Sequence, residues 1–307
     1  MSRTFTDGAS VAPETRARVI KAAEALNYHV NHLARGLSKE ESRPVCILVS
    51  TLRKPYHAVL LDLITTALQK AGRIAIVINV GASADDADQA LIQTMNYRAA
   101  ATIVLSGSPP ARLVERCIGT GQKVILVNRG DDLPDVYHLR IDYARAMEQA
   151  AQLFHKGGHK NIAIVTRAER SHSLAERELL LQNALIEHRI KVNVWRGAST
   201  TYETGQAAVR DLFLSRNAPD GLFCINDLLA CGAMDALTRE LGCQVPADVA
   251  VLGFDDIPQA SWQAYRLSTF AQPYSGIAST LAELLSTDEP ERICTLHAEL
   301  KLRGTHR

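Results

Sequence analysis

The chain has 307 residues, 47% of them hydrophobic and 22% charged, which is too long for one small domain and too apolar for wholesale disorder. Its 34 basic and 33 acidic side chains leave a formal net charge of +1, so no global basic field is present and any nucleic-acid partner is met by a local surface. Aromatic residues at 5% argue against a broad stacking surface for single strands.

Residues 1–44 differ from the rest, because they contain no strand-like run. Pro13 suits the first turn of a helix and Glu14 its positive end. Val19, Ile20, Ala23 and Leu26 follow at helical spacing and predict one short amphipathic helix. A second short helix is predicted from Asn31, as cap, through Leu33, Ala34, Arg35 and Leu37. The charged, Pro-terminated stretch Ser38 to Pro44 reads as a linker. The polar stretch Met1 to Ser10 has no apolar core of a secretory signal. No apolar run approaches the roughly 20 residues that span a bilayer.

From Val45 onward the pattern alternates. Strands are predicted at Val45–Ser50, Arg73–Asn79, Ala101–Leu105, Lys123–Val127, Asn161–Val165, Ile190–Trp195, Gly221–Ile225 and Val249–Gly253. Helical patterns separate them, at Ala58–Ala71, Ala84–Tyr97, Arg112–Thr120, Ala144–Lys156, Ala175–His188, Tyr202–Ser215 and Leu228–Leu241. Short apolar strands joined by helices mean βαβ units and parallel sheets. A break near Ile141–Asp142 divides the series, so the expected class is α/β with two similar doubly wound lobes. Their strand ends can face one cleft, and ligands of such sheets sit outside the carboxyl ends. The helix at Ala58–Ala71 carries apolar residues on more than one face, which fits either deep burial or sharing with a partner subunit.

The chain offers no glycine-rich dinucleotide loop, no phosphate-binding loop and no nucleophile elbow. His155 and His159 stand four apart, but Gly157 and Gly158 break any helix between them, so no metal site is expected. No catalytic residue and no cofactor are assigned. Six scattered cysteines without a C-x-x-C pair read as reduced, mostly buried thiols of a cytoplasmic protein.

Polar residues recur where strands end. Asn128–Arg129, Arg177 after the loop Thr166 to Ser173, Asn226–Asp227 and Asp255–Asp256 all hold such positions. Any one of them fits a helix cap or turn. Together they fit a polar cleft, where planar arginine and carboxylate groups grip hydroxyls or an acid.

The stretch from Asn226 to Pro258 (NDLLACGAMDALTRELGCQVPADVAVLGFDDIP) resembles the signature of the lac repressor, or LacI/GalR, family. GHKNIAIV (Gly158 to Val165), SVAPETRARVIKAAEALNY (Ser10 to Tyr28) and NHLARGLSKEESRPVCILV (Asn31 to Val49) are similar to it as well. LSTFAQP (Leu267 to Pro273) resembles the crossover back to the first lobe, and LKLRGTHR (Leu300 to Arg307) the terminal strand.

The resemblance implies a transcription factor, most simply a repressor. A helix-turn-helix module would read operator DNA and a hinge helix would enter the minor groove. A periplasmic-binding-protein-like core would form a homodimer and bind a small effector, a sugar or sugar derivative. No membrane partner is implied. The implied division is 1–44 for the partial helix-turn-helix, hinge and linker, 45–141 plus 272–290 for one lobe, and 142–271 plus 291–307 for the other. Ser2 and Arg3 resemble the tail of the recognition helix, so most of the reading head is expected ahead of Met1. Asn31, Ala34, Arg35 and Leu37 resemble the hinge helix, with Leu37 as the residue that wedges between base pairs. Val30 stands where the family usually has proline.

For the effector, Arg177 and Asp227 match the main anchors. Tyr56 and His57 match an aromatic pair after the first strand, Asn128 and Arg129 the fourth strand end, and Ser171 and Ser173 the loop before Arg177. Asp255 stands at a strand end, and Trp262 is placed to stack on a sugar face. A ligand-binding protein of the same core without DNA reading is the alternative reading.

Overall fold

The computed structural model describes residues 4, 10–28, 43–81, 84–105, 110–130, 133–169, 171–214, 217–287 and 291–307. The expected DNA-facing residues Ser2, Arg3, Asn31, Ala34, Arg35 and Leu37 lie outside them. Helix α1 (Pro13–Ala25) forms where the apolar spacing places it, with Pro13 in its first turn. None of its residues is buried, and Ile20 and Leu26 are exposed.

The first lobe is built from β1 (Val45–Val49), α2 (Pro55–Lys70), β2 (Ala75–Asn79), α3 (Ala84–Asn96), β3 (Ala101–Val104), α4 (Ala111–Gly119), β4 (Lys123–Val127) and β5 (Tyr137–Asp142). The second takes α5 (Ala144–Lys156), β6 (Asn161–Arg167), α6 (His172–Glu187), β7 (Lys191–Gly197), α7 (Tyr202–Phe213), β8 (Gly221–Cys224), α8 (Asp227–Asp235), β9 (Ala250–Asp255) and β10 (Ser268–Ala271). The chain then returns to the first lobe for α9 (Tyr274–Ser286) and β11 (Ile293–His297), and ends in the second with β12 (Glu299–Lys301).

One sheet runs β11-β5-β4-β3-β1-β2 and is parallel throughout. The other runs β12-β10-β9-β8-β6-β7, with only β12 antiparallel. Parallel strands are covered on both faces, so they read as continuous apolar runs. β1 shows this: Val45 and Ile47 pack on one side with Leu60, Ile64 and Leu68 of α2, and Cys46 and Leu48 pack on the other with Leu91 and Val114. Each such buried side chain stabilises by roughly 1.5–3 kcal/mol.

Several features depart from expectation, and β10 and α9 are among the elements not predicted. β5 was not predicted, because Arg140 interrupts its short apolar run. β11 was not predicted either, as an edge strand with alternate residues exposed. β11 also corrects the lobe assignment of 291–307: its pairing with β5 puts it in the first sheet, and only the residues from β12 onward join the second. In α2, Leu60, Ile64 and Leu68 are buried in the core, Leu61, Leu63 and Ala67 pack partly buried against it, and α9 lies alongside.

Between α7 and α8 the backbones touch. A Cβ on Gly205 would stand 2.1 Å from the Leu229 carbonyl oxygen, and one on Gly232 would stand 1.9 Å from that of Tyr202. Only paired glycines permit that approach. All six cysteines are free thiols, four of them buried.

Candidate functional site

Three single-strand crossings join the lobes, at Tyr143, at Gln272–Pro273 and at Ala298. Between the lobes lies a cavity of about 1070 Å³. Its walls are the carboxyl ends of β1, β4, β6, β8 and β9 and the turns that follow them. This is where the topology of doubly wound sheets leaves room for a ligand.

Arg177 is the best-held side chain in it. The residue is 4% exposed although it carries a full charge. Its Nε donates to the Ser173 carbonyl at 3.2 Å and its Nη1 to the Ile225 carbonyl at 2.9 Å. The guanidinium lies 4.1 Å over the Phe254 ring and 5.3 Å from the centre of Tyr143. A planar cation stacked this way is fixed in orientation, with one edge left for a ligand.

Asp255 stands 3.9 Å from Arg177 and accepts from Gln272 Nε2 at 3.0 Å. Burial pushes its carboxyl up to about 6, with Arg177, Gln272 and Lys54 opposing. Its backbone is in the left-handed region at φ 116°. On the opposite wall, Asn128 (φ 55°) donates from Nδ2 to the Tyr143 hydroxyl. The Tyr143 ring is wholly buried against Phe254.

His57 donates from Nδ1 to the Thr51 carbonyl at 3.3 Å, and burial lowers its pKa, which favours the neutral ring. Tyr56 packs on His57 and Tyr274, with ring centres 5.3 and 5.7 Å apart. Ser171 and Ser173 face each other at 3.3 Å at the start of α6. There His172 of the second lobe crosses the cleft to Gly130 of the first: a Cβ at Gly130 would meet its ring at 2.4 Å.

Tyr56, His57, Asn128, Arg129, Ser171, Ser173, Arg177 and Asp255 therefore line one cavity. Two expected residues do not. Asp227 is fully buried behind the wall, and both its oxygens are taken, Oδ1 by the Thr269 hydroxyl at 2.6 Å and Oδ2 by the Ile257 amide at 2.9 Å. Burial and the nearby Asp255 raise its pKa well above the ordinary range. It braces the β9 turn. Trp262 is 54% exposed and lies outside the cavity, following a short 3₁₀ turn that carries it away.

Asn226, not Asp227, is the member of that dipeptide on the cavity wall. It caps α8 through Leu229 N at 3.0 Å and donates to the Thr200 carbonyl at 3.2 Å. Sequence reasoning also missed Arg53, Lys54, Arg167, Glu169 and Gln272, all of which line the cavity. For Arg167 a signal was available, since it extends a predicted strand by two residues toward its carboxyl end.

Residues 151–304 match the family model described as periplasmic binding protein-like domain. The chain belongs to the lac repressor family, built on that domain. The ribose operon repressor of Bacillus subtilis is 28% identical over 287 residues, covering 93% of this chain and 86% of that protein. The probable HTH-type transcriptional repressor ExuR of the same organism is 27% identical, covering 95% and 88%. Among solved structures, the lac repressor bound to ONPG in its repressed state superposes with a TM-score of 0.88 at 20% identity, over 99% of this chain and 94% of that one. A LacI family regulator from Enterococcus faecium with bound ribose superposes with a TM-score of 0.77 at 21% identity, over 85% and 98%. At those identities the structures speak to the fold. In this lac repressor family member no described helix is long and apolar enough to cross a membrane.

Proposed function

We propose that the chain is an effector-responsive, DNA-binding transcriptional regulator, a repressor by its family, that works as a homodimer in the cytoplasm and performs no chemistry of its own. A small polar ligand with sugar-like hydroxyls binds between the lobes. Arg177, Asp255, Asn128 and Asn226 are its anchors, with Tyr56 and His57 as the apolar side of the site.

The observation that carries this reading is where the anchors lead. Asp255 is hydrogen-bonded to Gln272, and Asn128 to Tyr143. Gln272 and Tyr143 each lie in a segment that crosses between lobes. A ligand that pulls on Asp255 and Asn128 acts directly on two of the three connections that set the angle between lobes. Effector and operator are then linked through lobe geometry, each shifting the other's affinity by the same factor.

The test is the effector's action on DNA. Genomic fragments retained by the protein are isolated, and their affinity is measured by fluorescence anisotropy with and without a series of sugars. One sugar is expected to change operator affinity by about tenfold or more, the usual scale of such coupling. Arg177→Ala should remove that response and leave DNA affinity itself in place. A sugar that binds the protein tightly and leaves DNA affinity untouched would overturn the assignment.

A further inference from the structure

The charge of the cleft is one-sided. Among the described residues lining it, Arg53, Lys54, Arg129, Arg167 and Arg177 are cationic, and only Glu169 and Asp255 are acidic. Arg177 is matched by Asp255 at 3.9 Å. Arg53, Lys54 and Arg167 form no side-chain hydrogen bond or ion pair among the described residues, and the Arg167 Nε is buried without a partner.

Lys54 and Arg167 belong to different lobes. Lys54 stands just ahead of α2, after β1, and Arg167 ends β6. They sense each other across the gap: burial and the Arg167 guanidinium hold the Lys54 ammonium below its usual range, and Asp255 supports its charge. Two like charges that line one cleft destabilise each other until a counter-charge arrives. The amino ends of α2, α6 and α8 open on the same space and add positive potential.

A neutral polyol does not suit that arrangement. Its hydroxyls donate as well as accept, whereas arginine and lysine only donate. An anion satisfies these donors and cancels the repulsion between the lobes.

We propose that the effector is an anionic polyhydroxyl compound, a sugar acid or a phosphorylated sugar, whose charged group lies between Lys54 and Arg167 while its hydroxyls meet Arg177 and Asp255. The shared chemistry is a carboxylate or phosphate on a sugar-like frame. This rests on the cleft being the effector site.

The full chain, Lys54→Met and Arg167→Met are compared in two assays. Thermal unfolding is followed in inorganic phosphate and in chloride at equal ionic strength. Calorimetric titration then uses galactose and ribose, each as the neutral sugar, as its sugar acid and as its terminal phosphate ester. Neither substituted side chain makes a hydrogen bond among the described residues, so both variants are expected to fold with unchanged or higher stability without ligand.

Phosphate is expected to stabilise the wild-type chain beyond chloride, and that effect is expected to disappear in both variants. For at least one sugar the anionic form should bind about 100-fold tighter than the neutral form and lose about tenfold or more in each variant, the scale of a charged hydrogen bond inside a site. Neutral sugar binding as tightly as its anions, with no phosphate effect, overturns the charge assignment and leaves the effector cleft standing. Phosphate stabilisation that is lost in the variants, without binding of any sugar, keeps the anion and removes the sugar. If neither phosphate nor any sugar binds, both readings fall.

Discussion

At the scale of single residues, the buried pair Arg177 and Asp255 sets the pH behaviour of the site. Burial raises the Asp255 carboxyl to about 6, with Arg177, Gln272 and Lys54 working against it. Two expectations follow, with definite signs. Hydroxyls of a ligand donate to the ionised form, so effector affinity should fall as pH drops through about 6 and level off above it. Stability should behave oppositely. The folded chain holds the Asp255 proton to higher pH than the unfolded chain, so stability falls as pH rises from about 4 to about 6. At about 1.4 kcal/mol per tenfold in proton affinity, Asp255 contributes about 3 kcal/mol of that fall. In Asp255→Asn, denaturant titrations across this range should lose that part of the slope. An unchanged slope would mean that the carboxylate is solvated.

Asp227 and Asp255 also mark what a sequence can show of a site. Both are acids at strand ends, and the family resemblance alone made Asp227 the stronger candidate. Only three-dimensional placement shows the Thr269 hydroxyl and the Ile257 amide taking both its oxygens. Lys54 and Arg167 were hidden for a related reason. A cation after a strand looks solvated until the opposite lobe is set against it. Arg177 and Asn128 were legible as polar residues where strands end, Tyr56 and His57 only through the family resemblance, and all four do line the cavity.

At the scale of elements, the parallel strands were readable because burial on both faces leaves no polar alternation to confuse them. β5 and β11 were not, because one is interrupted by Arg140 and the other is an exposed edge. Helix ends were displaced by a few residues, since proline and loop geometry decide them: α2 begins at Pro55 rather than at Ala58. The α7–α8 contact gives an element-level prediction. Gly232→Ala drives a methyl group into the Tyr202 carbonyl, a backbone atom that cannot swing aside. Overpacking of this kind typically costs about 1–3 kcal/mol, and urea unfolding should show a loss at the upper end of that range. Loss of under about 0.5 kcal/mol, the scale of an ordinary surface change, would mean that the two helices are not pressed together.

At the scale of the whole molecule, burial should govern thiol reactivity. Cys46, Cys117, Cys224 and Cys231 are buried, and burial raises Cys46 and Cys231 to about 12, so they should resist a thiol reagent until the chain unfolds. Cys243 and Cys294 are partly exposed and should react first. The lobe connections give the other prediction at this scale. Tyr143→Phe removes only the hydroxyl that receives Asn128, at a crossing between lobes. Effector affinity should change by less than about threefold, while the effector's influence on operator affinity shrinks by about tenfold, within the range of coupling energies for linked sites. Equal loss of both would assign Tyr143 to binding rather than to transmission.

Arg177 and Asp255 are proposed to hold one effector between the lobes. Calorimetric titration of the tightest-binding sugar derivative into the wild-type chain, Arg177→Ala and Asp255→Asn tests it most directly. A single site per chain is expected in the wild type, with a loss of at least about 30-fold, or about 2 kcal/mol, in each variant, as for removing one partner of a buried charged contact. Affinity within about twofold of wild type in both variants, below about 0.5 kcal/mol, would place the effector elsewhere.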